Sequence, residues 1–82
     1  MKAIAGITIL VHNRKEAHCA INEELSKYGH IIHGRLGIPN IDNENCIISL
    51  IVHGSEEDVD TLYSELDAMS AVEDFKVLIS KF

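Results

Sequence analysis

Two stretches of the chain alternate apolar and polar side chains and then change to helical spacing. Ile7, Ile9 and Val11 interleave with Thr8, Leu10 and His12, and a stripe of Ala17, Ile21, Leu25 and Tyr28 comes next. The two-residue period describes a strand with one buried face, and the three-to-four spacing describes an amphipathic helix. The same succession returns as Ile48, Leu50 and Val52 among Ser49, Ile51 and His53, and then Val59, Leu62, Leu66 and Met69. Asn13 and Ser55 stand where each helix needs an N-cap, and Glu56, Glu57 and Asp58 fill a first turn, where the helix dipole favours acids. Each half closes with a further apolar run, HIIHGRLGI from His30 and FKVLIS from Phe75. Between the halves, the turn formers from Pro39 to Asn45 read as a hairpin connection.

The halves are copies of one unit. Residue i laid on residue i+41 matches Ile7 with Ile48, Val11 with Val52, His12 with His53, Glu16 with Glu57, Glu24 with Glu65 and Leu25 with Leu66. The element order is therefore βαββαβ. Right-handed crossovers put both helices on one face of a four-stranded antiparallel sheet, with the first and third strands central. This is an α+β fold, the ferredoxin-like sandwich.

Strand periodicity then assigns faces. Ile7, Ile9, Val11, Ile48, Leu50 and Val52 turn to the helices, and Thr8, Leu10, His12, Ser49, Ile51 and His53 turn to the open face. Pairing Ile38 with Cys46 across the hairpin sets Ile32 opposite Val52 and Leu36 opposite Ile48. That register sends Ile31, His33 and Arg35 to the open face, where the last strand adds Lys76 and Leu78. A face holding Leu10, Ile31, Ile51 and Leu78 is too apolar to stay wet, so a second subunit is expected to cover it or to extend the sheet.

Composition narrows the function classes. Eighty-two residues that are 46% hydrophobic and 24% charged make one globular domain spanning 1–82. A net charge of −6 repels phosphate backbones, so this chain alone is not expected to bind nucleic acid. The sequence shows no secretory leader pattern and no apolar run near the roughly 20 residues a membrane helix needs, which points to the cytoplasm. Cys19 and Cys46 read as reduced thiols there, and two cysteines cannot supply the four thiolates of an iron–sulfur cluster.

The candidate chemistry is binding rather than catalysis. No Ser/His/Asp or Cys/His order and no carboxylate pair in a cleft can be traced, so no enzyme activity and no cofactor are expected. His12 and His53 end the two central strands and are expected about 5 Å apart, with His33 one diagonal step away. Such imidazoles could hold a divalent metal, with Cys46 of another subunit, or form an interface that repels when protonated. Arg35 suits a carboxylate or an intersubunit ion pair. Asn13 and Arg14, at the junction of strand and helix, could present an amide and a guanidinium to an anion. His18 and Cys19 are neighbours on a helix and point apart, and His30 reads as a solvated surface residue.

GITILVHNR (6–14), YGHIIHGRLGIP (28–39) and IISLIVHG (47–54) resemble the small ACT-like family of iron-only hydrogenase system regulators. The likeness covers nearly the whole chain, and GRLGIP is its most specific segment. It implies a ferredoxin-like regulatory domain that assembles into dimers or tetramers. That family is similar in fold to the C-terminal domain of the nickel-responsive repressor, which holds its metal at a subunit interface on histidines and one cysteine. Cys46 matches the cysteine, whereas Ile38 and Asn40 stand at the histidine positions. The combined expectation is a homo-oligomeric ACT-like module sensing a small ligand at a subunit interface through His12, Asn13, Arg14 and Arg35. The alternatives are a metal sensor using His12, His33, His53 and Cys46, and a protein–protein adaptor without a ligand.

Overall fold

A computed structural model describes residues 1–12, 15–39, 41–73 and 75–82. The elements run β1 (Lys2–His12), α1 (Lys15–Ser26), β2 (Ile32–Ile38), β3 (Asn45–Ser55), α2 (Glu56–Glu73) and β4 (Phe75–Lys81). They form one antiparallel sheet in the order β2-β3-β1-β4, with the two repeat-equivalent strands at its centre. The βαββαβ order and the sheet confirm the fold expected from the repeat.

The core forms where the two periodicities meet. Ile7, Ile9, Val11, Leu50 and Val52 from the sheet close against Ile21 and Leu25 of α1 and Val59, Leu62 and Leu66 of α2, all fully or almost fully buried. Each such side chain stabilises the fold by about 1.5–3 kcal/mol relative to exposure. The Ser55 hydroxyl accepts the Asp58 backbone N–H at 3.0 Å, and Glu56, Glu57 and Asp58 occupy the first turn of α2, as the capping pattern requires. Asn13, expected to cap α1, lies outside the described residues.

The second strand departs from its expected register. Ile32 does pair with Val52, but a bulge at His33 shifts the pairing beyond it, so that Gly34 meets Ile51, Arg35 meets Leu50, Leu36 meets Ser49 and Ile38 meets Ile47. An inserted residue reverses the facing of every later side chain. Arg35 therefore turns to the helix side rather than the open face, and Leu36 and Ile38 take the open face instead. Ile31 is also corrected. It precedes the strand in a turn, where its N–H bonds the Tyr28 carbonyl, and it is buried against Gly54 rather than displayed.

A second correction concerns the histidines. Because β1 and β3 run antiparallel, His12 pairs with Asn45 and His53 with Ile4. The two lie eight residues apart along the ladder, about 27 Å at strand rise, and not side by side. Translation in sequence becomes reversal in space. Among the described residues, no helix is long and apolar enough to cross a membrane.

Candidate functional site

The bulge at His33 places Arg35 over the helix layer, where its guanidinium donates to the Asn22 side-chain oxygen of α1. One turn earlier on the same helix, His18 projects toward the start of β3. There Cys46, opposite Val11 and 3% exposed, lies with its Sγ 3.4 Å from His18 Nε2 and 3.9 Å from Nδ1. Burial pushes the Cys46 thiol up, so it is neutral near pH 7. His18, Arg35, Ile38, Pro39, Cys46 and Ile48 are among the residues lining a cavity of about 180 Å³ between α1 and the β2–β3 hairpin. Its lining combines aliphatic side chains with a thiol, an imidazole and a guanidinium.

The other candidate residues fall elsewhere. His12 closes β1 and, with Leu10, Asn45, Phe75 and Lys76, lines a separate cavity of about 220 Å³. That cavity and Arg35 belong to opposite faces of the sheet. Asn13 and Arg14 lie outside the described residues. The three-histidine cluster resolves into a pair: the rings of His33 and His53 are 5.7 Å apart between centroids, with His12 at the far end of the ladder. Among the described residues no three metal-ligating side chains come together. His30 is exposed as expected, stacked on Tyr28 and 3.6 Å from the Asp58 carboxylate. Cys19 is exposed, and neither cysteine is in a disulfide.

Two groupings escaped the sequence reading. The His18–Cys46 contact joins residues 28 apart, and its one sequence signal is that His18 flanks the buried stripe beside Ala17. The other lies between the helices. Glu24 is 9% exposed with its Oε2 buried and unbonded, Lys27 donates to its Oε1 at 3.2 Å, and Tyr28 donates to Glu65 at 2.8 Å. The neighbouring Glu65 carboxyl and then burial hold the Glu24 carboxyl above the usual range, while Glu65 is held below it.

The profile of the TM1266-like family, described as "Iron-only hydrogenase system regulator, putative", matches residues 3–76. The chain belongs to this family. The structure of TM1266 itself, an uncharacterized protein from Thermotoga maritima, superposes with a TM-score of 0.87 at 22% identity, covering 100% of this chain and 99% of that one. The ACT domain of the GTP pyrophosphokinase of Chlorobium tepidum gives 0.69 at 18% identity, with 100% of both chains covered. CPII of Thiomonas intermedia K12, a nitrogen regulatory PII-like protein solved with ADP, AMP and bicarbonate, gives 0.64 at 13% identity, covering 100% and 96%. No curated protein matches. The TM1266-like chain thus has an ACT-like fold, and its family description places it among regulatory domains.

Proposed function

We propose that this TM1266-like chain is a homo-oligomeric regulatory domain that senses a small ligand and transmits binding through its assembly. The observation that carries the reading is the helix-free face of the sheet. Ile4, Leu10, Leu36, Ile38, Ile51 and Leu78 stand there 37–71% exposed, a contiguous apolar surface on a small domain.

Charge supports a second copy as the cover. The four strands contain no Asp or Glu, although the chain carries 13 acidic residues and a net charge of −6. Two such faces can meet without carboxylate repulsion, whereas two helix layers cannot. The repeat also makes the face approximately self-similar, with Leu10 answered by Ile51, Thr8 by Ser49 and His12 by His53, which suits an isologous contact. In this reading Arg35 is the anion-recognising group and His12 lines a cavity on the opposite face, with Asn13 and Arg14, next in sequence, as further candidates for the ligand.

Light scattering after size exclusion tests the assembly. A dimer or tetramer is expected at micromolar concentration, and Ile51→Lys with Leu78→Lys should yield a folded monomer. A monomeric wild type would overturn the reading.

A second reading keeps one supporting observation. Two imidazoles bound to one tetrahedral ion have ring centroids about 5 Å apart, given Zn–N bonds of about 2.0 Å. The His33–His53 pair, at 5.7 Å, is close to that spacing. A metal there would need further ligands from water or a partner. Equilibrium dialysis against Zn²⁺ or Ni²⁺ should show binding that His53→Ala removes; uptake unchanged in that variant excludes the pair.

A further inference from the structure

We infer that the cavity between α1 and the β2–β3 hairpin is a binding site for a small carboxylate with an apolar body, recognised by Arg35 and His18. This rests on the ligand-sensing reading and names the ligand class and its location.

Four observations converge. In a strongly acidic chain, the residues lining this cavity include a guanidinium and an imidazole and no carboxylate. The Cys46 thiol in its lining stays protonated near neutrality because burial disfavours the thiolate, so it adds no negative charge to oppose an anion. The guanidinium has five donors, and its contact with Asn22 leaves others for a bidentate carboxylate. Pro39 and Ile48, the latter on the helix side of β3, supply aliphatic lining for the rest of the ligand.

Size and charge narrow the class. A volume of about 180 Å³ lies below that of drug-sized pockets, about 300–1,000 Å³, and holds roughly six waters at about 30 Å³ each. Short branched carboxylates fit, and nucleotides do not. The same donors argue against a bare cation, since the Arg35 charge is part of the lining and the cavity offers one thiol and one imidazole as metal ligands.

The test is an NMR titration of the ¹⁵N-labelled full chain with isobutyrate, with isobutylamine as the cation of similar shape and with inorganic phosphate and Zn²⁺ as competing probes. Isobutyrate should shift the amides of His18, Arg35, Gly37 and Ile48. Arg35→Gln should weaken that binding at least tenfold, and Arg35→Lys should restore part of it. Absence of shifts, equal binding of isobutylamine, or unchanged affinity in Arg35→Gln would overturn the site. Phosphate binding as tightly as isobutyrate would remove the apolar-body requirement and overturn the ligand class. Zn²⁺ shifting these amides where isobutyrate does not would replace it with a metal site. His18, Arg35 and Cys46 lie on the helix side of the sheet, away from Ile51 and Leu78, so the titration repeated on the Ile51→Lys/Leu78→Lys chain separates a failed site from a failed assembly.

Discussion

Glu24 of α1 and Glu65 of α2 occupy equivalent positions in the two repeats and titrate against each other across the helix pair, Glu24 raised and Glu65 lowered. The buried Glu24 Oε2 has no hydrogen-bond partner, and a proton held on Glu24 would spare it an unpaired buried charge and let it donate toward Glu65.

That proton makes stability depend on pH. The folded pKa of Glu24 is raised, first by the neighbouring Glu65 carboxyl and then by burial, so its contribution is present below the ordinary carboxyl value and lost as pH rises through the raised one. The lowered Glu65 contributes in the opposite sense, and the pair titrates as a unit. Glu24→Gln keeps a donor to Glu65 at every pH. It should raise Tm at pH 8 by about 4 °C, the equivalent of one hydrogen bond in a domain of this size, with little change at pH 4. Calorimetry showing equal destabilisation at both pH values would rule out the proton on Glu24.

Tyr28 reports on the same cluster from the alkaline side. Burial and its bond to Glu65 push the phenol up to about 12. Because the folded value is raised above about 10, the stabilisation is complete below pH 10 and is lost between about 10 and 12. Ultraviolet titration should show a tyrosine ionising near pH 12 that moves downward in Glu65→Gln. An unmoved transition would separate Tyr28 from Glu65.

Gly54 is required by Ile31. A Cβ at residue 54 would stand 2.5 Å from Ile31 Cγ2 and 3.1 Å from its Cβ. Gly54→Ala should cost about 1–3 kcal/mol, as overpacking does, and Ile31→Ala should relieve part of the clash in the double variant. Additive losses in a denaturant double-mutant cycle would show the two side chains to be independent.

Ser55 makes the cap of the long helix. Ser55→Ala should lower stability by about 1 kcal/mol through loss of the bond from the Asp58 N–H, while Ser55→Asp retains the acceptor. Urea denaturation that does not distinguish the two would place the capping energy elsewhere.

The central strands and both helical stripes were legible because Ile7, Ile9 and Val11, and their equivalents, are apolar at every position of one parity while Thr8, His12, Ser49 and His53 mark the other. The second strand was not. HIIHGRLGI offers apolar side chains at both parities, so hydrophobic pattern alone cannot detect the residue inserted at His33, and Arg35 and Ile31 were placed on the wrong face. The proximity assumed for His12 and His53 failed for a different reason: equivalent positions in antiparallel strands diverge toward opposite ends of the sheet. The His18–Cys46 contact depends on how α1 lies over the hairpin, a tertiary relation that no local spacing encodes.

The bulge at His33 also makes this the one place in β2 where chain length is free to change. Deleting His33 would close the bulge and leave a regular ladder, with Gly34 still opposite Ile51, Arg35 still opposite Leu50 and Leu36 still opposite Ser49. A codon lost between Gly34 and Ile38 has no such slack to absorb it and would turn the side chains on one side of the gap to the other face. The strand therefore tolerates a deletion at the residue that pairs with nothing and not at its neighbours.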